Sequence, residues 1–143
     1  MLVPMTTDTE VKTITLFAYG TLRTDEPLHS WVEDEIIKSL GVGVIRGARL
    51  FFSRQHKGYP YLVFTPNVDS DQAVGELFEV PLSEKIISMF RMEMNAGYTL
   101  TDALAMLPDG TEREVVVCSW QGVYGEAVPN NDWCSVEQKE WWV

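Results

Sequence analysis

The stretch Phe17-Ala18-Tyr19-Gly20-Thr21-Leu22-Arg23 decides how the rest of the chain is read. It is entered by Thr13-Ile14-Thr15-Leu16-Phe17-Ala18-Tyr19, an apolar, β-prone run that predicts a first strand. Gly20 breaks the run and opens backbone conformations closed to other residues. Thr21 brings a hydroxyl, and Leu22 an anchor for the core. A strand ending in Gly-Thr leaves backbone N–H groups at its tip, and such groups, when they converge, hold a carboxylate or an oxyanion. Taken alone, Tyr-Gly-Thr is more simply a plain turn, because lone glycine turns are common.

Upstream of the strand, residues 1–12 are polar, with Asp8 and Glu10, and lack the basic and apolar regions of a signal peptide. They predict a flexible tail, with 13–143 as a single domain, the ordinary outcome for 143 residues. No apolar run reaches the roughly 18 residues of a spanning helix. The expectation is a soluble cytoplasmic protein. Lys plus Arg number 11 against 21 Asp plus Glu, a formal charge of −10. That balance argues against nucleic acid and anionic membranes as partners, since both need basic surface.

Downstream, Thr24 or Asp25 is suited to cap a helix, with Glu26 and Pro27 in its first turn. Leu28, Trp31, Val32, Ile36 and Leu40 then recur at helical spacing up to Gly41. Val42 to Phe52 reads as a β segment bent at Gly43 and Gly47. After a polar loop from Ser53 to Gly58, Tyr59-Pro60-Tyr61 leads into the strand Leu62-Val63-Phe64. Ala73 to Val80 is a further strand ended by Pro81. Ser83 then caps a short helix carrying Ile86, Ile87, Phe90 and Met94, stopped by Asn95-Ala96-Gly97. Tyr98 to Leu107 and Glu112 to Trp120 form a hairpin about Pro108-Asp109-Gly110. The tail from Gln121 is loop-like, and its aromatics Tyr124, Trp133, Trp141 and Trp142 read as packing pieces. Strands that follow one another without regular helical crossovers predict an α+β domain with a mixed or antiparallel sheet.

Several of these segments resemble the gamma-glutamylcyclotransferase-like family. The matches are Tyr19-Gly20-Thr21-Leu22 after the first strand, Tyr59-Pro60, and Gly75-Glu76-Leu77-Phe78-Glu79-Val80. A fourth is the helix segment with Glu93 followed by Tyr98, and more loosely Asn130-Asn131-Asp132-Trp133 resembles a family ending. Two positions depart from the pattern: Phe90 stands where Asp is usual, and Leu100 where Arg often follows the tyrosine. The resemblance implies a small β-barrel-like sheet flanked by a few helices. It implies an intramolecular reaction in which a γ-glutamyl α-amine attacks its own γ-carbonyl, giving 5-oxoproline and a free amine. Glu93 would be the acid/base, with Tyr19, Gly20, Thr21, Leu22 and Tyr98 binding a small γ-glutamyl-containing molecule. No metal or cofactor is implied.

Read without the family, Glu93 lies among Met89, Phe90, Met92 and Met94, and apolar surroundings disfavour its charged form. An exposed glutamate on an amphipathic helix is the simpler alternative. His29 and His56 lack metal-ligand spacing, and no serine or phosphate-binding motif is present. Cys118 and Cys134 match no disulfide scaffold or metal pattern and read as structural thiols. Two other readings stay open: an enzyme of the same fold that cleaves another γ-glutamyl amide or hydrolyses an amide, and a non-catalytic binding module.

Overall fold

The computed structural model describes residues 12–53, 59–123 and 125–136. The expectations for the tail up to residue 11, the loop with His56, and Tyr124, Trp141 and Trp142 lie outside those residues.

The described chain forms eight strands and one α-helix. The strands are β1 (Thr13–Ala18), β2 (Lys38–Arg46), β3 (Ala48–Phe52), β4 (Pro60–Phe64), β5 (Gln72–Pro81), β6 (Thr99–Met106), β7 (Glu112–Ser119) and β8 (Glu126–Ala127); the helix is α1 (Glu84–Asn95). They pair in the order β1-β5-β2-β6-β7-β4-β3-β8, and β1 pairs again with β7. That second pairing closes β1, β5, β2, β6 and β7 into a five-stranded barrel, with β4, β3 and β8 extending from its β7 edge. The fold is α+β. Pairing is antiparallel except where β7 meets β1, at Leu16 opposite Val116, and β4, at Leu62 opposite Ser119.

The period of two along each strand splits the apolar residues into two cores. Phe17 of β1 and Tyr19 just beyond it pack in the barrel core with Ile45, Leu77, Val115 and Val117. Leu16 and Ala18 point the other way, join Phe78 and Val80 of β5, and are covered by Ile86, Met89 and Phe90 of α1. Side chains as completely buried as Phe17, Leu77 and Ile86 each contribute about 1.5–3 kcal/mol, before the entropy of ordering the chain. Ser83 caps α1 as expected, its hydroxyl accepting the Ile86 N–H at 3.3 Å. The β6–β7 turn also follows its sequence signal, with Asp109 accepting the Thr111 N–H at 2.9 Å.

The segment after Arg23 differs from expectation. In place of a helix from Thr24 to Leu40 there are two 3₁₀ turns, His29–Trp31 and Glu33–Glu35, and then β2. Asp25 takes a positive φ of 69°, which no helix interior accommodates. Ile36 is already extended, and the Ile37 N–H bonds to Glu79 O at 2.8 Å. Pairing with β5 therefore captures Lys38 and Ser39, inside a stretch whose spacing alone suited a helix. Gly41, read as the stop of that helix, lies where the β2 register shifts, at φ 90°. A helix end and a bulge demand the same left-handed glycine. Gly43 lies opposite Gly75 in regular register, and the chain turns at Gly47 between β2 and β3.

Candidate active site

β1 ends at Ala18, and a tight turn follows, closed by the Arg23 N–H on Gly20 O at 3.0 Å. The carbonyl of Thr21 accepts the Leu28 N–H at 2.9 Å. Among the described residues, the N–H groups of Gly20, Thr21 and Leu22 have no acceptor. Gly20 does not adopt a positive φ. Glycine is demanded instead by close approach: a Cβ there would stand 2.3 Å from Pro60 Cγ. The conformational freedom expected of Gly20 is thus not what the site uses; the space is.

Arg23, directly after the turn, is buried. Its guanidinium reaches Asp132 Oδ1 at 2.6 Å and Glu76 Oε1 at 3.4 Å. Glu76 also accepts from Thr24 N at 2.8 Å and Thr24 Oγ1 at 2.9 Å. Trp133, fully buried and set edge-on against Phe52, donates its Nε1–H to Glu26 Oε1 at 2.8 Å. The turn is therefore held from both sides, by β5 and by the C-terminal segment that carries the 3₁₀ turns Pro129–Asn131 and Trp133–Ser135.

Glu93 and Tyr98 are brought together locally. At the end of α1, the Tyr98 N–H bonds to Glu93 O at 3.1 Å and the Gly97 N–H to Met94 O at 3.0 Å, with Gly97 at φ 112°. This is a Schellman stop, and it requires a left-handed residue at Gly97. The Tyr98 hydroxyl donates to Pro60 O at 2.9 Å, and its ring meets Trp120 edge to face with centroids 5.1 Å apart. Pro60 thus touches both halves of the site.

These elements enclose a cavity of about 250 Å³. Tyr19, Gly20, Thr21, Leu22, Glu93 and Tyr98, the six residues singled out from the sequence, all line it. Sequence reasoning did not place Cys118, Leu28 or Trp31 at the site, and they complete parts of the wall. It also missed Arg23, whose partners lie 53 and 109 positions away. No local pattern signals such a pairing.

The Glu93 carboxyl is half-buried and makes no hydrogen bond or ion pair among the described residues. Burial pushes it above its ordinary value. Of the four residues expected around it, Met89 and Met92 line the cavity with it, while Phe90 and Met94 do not. Neighbours in sequence on a helix point in different directions; Met94 is exposed and Phe90 is in the core under α1. Met89 and Ala96, four before and three after, share the cavity face with Glu93. The Tyr19 hydroxyl donates to Cys118 O at 2.7 Å. Burial first, then the nearby Tyr98, Cys118 and Glu93, hold that hydroxyl well above its usual range, so it stays protonated. Burial likewise pushes the Cys118 thiol up to about 12. Phe90 and Leu100, where the chain departs from the family pattern, both supply apolar surface to the core under α1. Helix and β6 meet there by packing rather than by charge. Among the described residues, no three His, Cys, Asp or Glu side chains gather as metal ligands, and no helix is long and apolar enough to cross a membrane.

The fold is similar to that of an uncharacterised protein from Pyrococcus horikoshii, at 25% identity and a TM-score of 0.63 over 84% of this chain and 89% of that one. It is similar to an AIG2-like protein from Mus musculus, at 20% identity and a TM-score of 0.64 over 78% and 80% of the two chains. A structure named gamma-glutamyl cyclotransferase aligns at 18% identity with a TM-score of 0.63, over 81% of this chain and 70% of the other. Among curated proteins there is no match. The family described as gamma-glutamyl cyclotransferase, AIG2-like, matches residues 16–141. That match runs from within β1, through the turn, the cavity and the C-terminal 3₁₀ segment that anchors Arg23, and the chain therefore belongs to the gamma-glutamyl cyclotransferase, AIG2-like family.

Proposed function

We propose that the protein is a γ-glutamyl cyclotransferase that converts a γ-glutamyl amine or amide to 5-oxoproline and a free amine, with Glu93 as the general acid and base. The observation that carries this reading is the Glu93 carboxyl, half-buried and without a partner among the described residues, on the same cavity as the turn N–H groups, which have no acceptor among those residues either. A structural carboxylate in such a setting would have acquired a donor, as Glu76 has.

The chemistry needs the substrate bent so that its α-nitrogen reaches its own γ-carbonyl, which is a matter of positioning. Glu93 removes a proton from the α-ammonium, and the freed amine forms a bond to the γ-carbon. Negative charge gathers on the carbonyl oxygen of the tetrahedral intermediate. The N–H groups of Gly20, Thr21 and Leu22 are suited to hold that oxygen or the substrate's carboxylate. Collapse of the intermediate breaks the bond to the leaving nitrogen, which takes the proton held by Glu93, and the ring nitrogen gives its remaining extra proton to the freed carboxylate, which passes it to solvent and leaves a neutral lactam and a free amine. A carboxyl whose proton affinity is raised by burial serves both steps better than an ordinary one. Tyr19, held protonated and engaged with Cys118 O, shapes the cavity; Tyr98 orders Pro60 beside the turn. The ligand is a small γ-glutamyl-containing molecule, with no cofactor or metal in the scheme.

The test is Glu93→Gln. The amide keeps the shape and cannot accept and return a proton, so turnover of a γ-glutamyl amine should fall by about 10²–10⁴ at equal folded concentration. Parental turnover in the variant would remove Glu93 from the mechanism.

A further inference from the structure

The cavity has two unlike walls. The polar one consists of the turn N–H groups and the Glu93 carboxyl, and the proposed reaction uses all of it on the glutamyl part of the substrate. The other wall is apolar. Leu28 and Trp31 come from the start and end of the first 3₁₀ turn, Met89 and Met92 from α1, and Ala96 from its C-cap. The second 3₁₀ turn, which follows directly, is tied to the start of α1 by the Ser83–Glu35 hydrogen bond and the Lys85–Asp34 ion pair at 2.6 Å. Trp31 is 39% exposed and Met92 51%, so both stand at the mouth rather than at the floor. Large apolar side chains held at the rim of a site present surface that is unfavourable in water and gains from being covered.

Charge points the same way. Among the described lining residues, Glu93 is the only side chain of the Asp, Glu, Lys or Arg type. The chain as a whole carries a formal −10. A substrate with a second carboxylate on its amine side would bring it toward a negative site whose described walls hold no cation.

Building on the cyclotransferase reading, we infer that the substrate's amine half is an uncharged alkyl or arylalkyl group, so that the protein releases an apolar amine from its γ-glutamyl amide. The glutamyl end sits against the turn and Glu93, and the hydrocarbon lies along Trp31 and Met92 toward the opening.

The experiment compares kcat/KM for a series of γ-glutamyl n-alkylamides, from methyl to hexyl, with γ-glutamylglycine, reading 5-oxoproline. Each methylene that reaches the apolar wall should raise kcat/KM about three- to fourfold, and propylamide should exceed γ-glutamylglycine by at least about tenfold. Trp31→Ala, and independently Met92→Ser at a more exposed position, should lower kcat/KM for the hexylamide more than for the methylamide. A flat response to chain length, or preference for γ-glutamylglycine, would overturn the apolar-amine inference and leave the cyclotransferase reading standing. No 5-oxoproline from any member of the panel would overturn both.

Discussion

Glu76 and Glu93 are the same chemical group in opposite circumstances. Glu76, on β5, has a side chain 14% exposed and answers the Arg23 guanidinium, the Thr24 N–H and the Thr24 hydroxyl. Glu93, on α1, is half-buried and answers nothing among the described residues. Burial raises its proton affinity, and no donor offsets the effect. A carboxylate surrounded by donors is fixed in place and serves as a fastener. One surrounded by carbon and tyrosine rings keeps its proton exchange open and is free for chemistry. Primary structure does not separate the two, because both are glutamates beside apolar residues.

The contrast is broken most severely on the fastened side. Arg23→Ala leaves Glu76 and Asp132 facing each other without their shared cation. Removing one partner of a buried pair costs about 3–5 kcal/mol; with Asp132 29% exposed, the loss should fall near about 3 kcal/mol. Urea unfolding measures it, and the site's activity should drop with it because the turn loses its anchor. Lys85→Ala, at the exposed pair with Asp34, is the control and should hardly move the unfolding midpoint. Equal effects from the two would mean that burial of Arg23 confers nothing.

The next effect tests the space between the two regions. Gly20→Ala places a methyl against Pro60, and an overpacked contact of that kind costs about 1–3 kcal/mol. Because Pro60 also receives the Tyr98 hydroxyl, activity should fall further than stability alone explains. A variant with parental stability and activity would show that Pro60 yields freely.

The smallest effect sharpens the reading of Glu93 itself. Its folded-state value lies above the ordinary 4.5, so below that ordinary value both folded and unfolded chains hold the proton and the contribution to stability is complete. As pH rises, the unfolded chain releases its proton first. The contribution is lost progressively as pH passes through the folded value. Relative to Glu93→Gln, the parent should therefore lose stability between the ordinary carboxylate range and neutral pH. Urea midpoints of both proteins across that range measure the difference, and parallel curves would mean that Glu93 is as well solvated in the fold as out of it.

Most of the architecture was legible because it rests on short-range signals. An apolar, β-prone run marked β1, a strand ended by Pro81 marked β5, Ser83 marked the start of α1, and Pro108-Asp109-Gly110 marked the hairpin. Half of the candidate site was legible for the same reason. Glu93 and Tyr98 are joined through a helix stop that Asn95-Ala96-Gly97 announces. The stretch from Thr24 to Leu40 misled because its apolar spacing suits a helix, while β5, more than thirty positions further on, offers strand pairing that local pattern cannot reveal.

By itself the sequence determined where β1, β5 and the β6–β7 hairpin lie, where α1 starts and stops, and which glutamate sits beside a helix stop and a tyrosine. These are matters of periodicity and turn chemistry, settled within a few residues. Only the tertiary structure decided that Arg23 would find Glu76 and Asp132, that Gly20 would be needed for Pro60 rather than for its backbone angles, and that Glu93 would be desolvated by residues from β1, β7 and the chain before β6. Each depends on surfaces far apart in sequence being pressed together, where exclusion of water and steric contact, not local propensity, set the outcome.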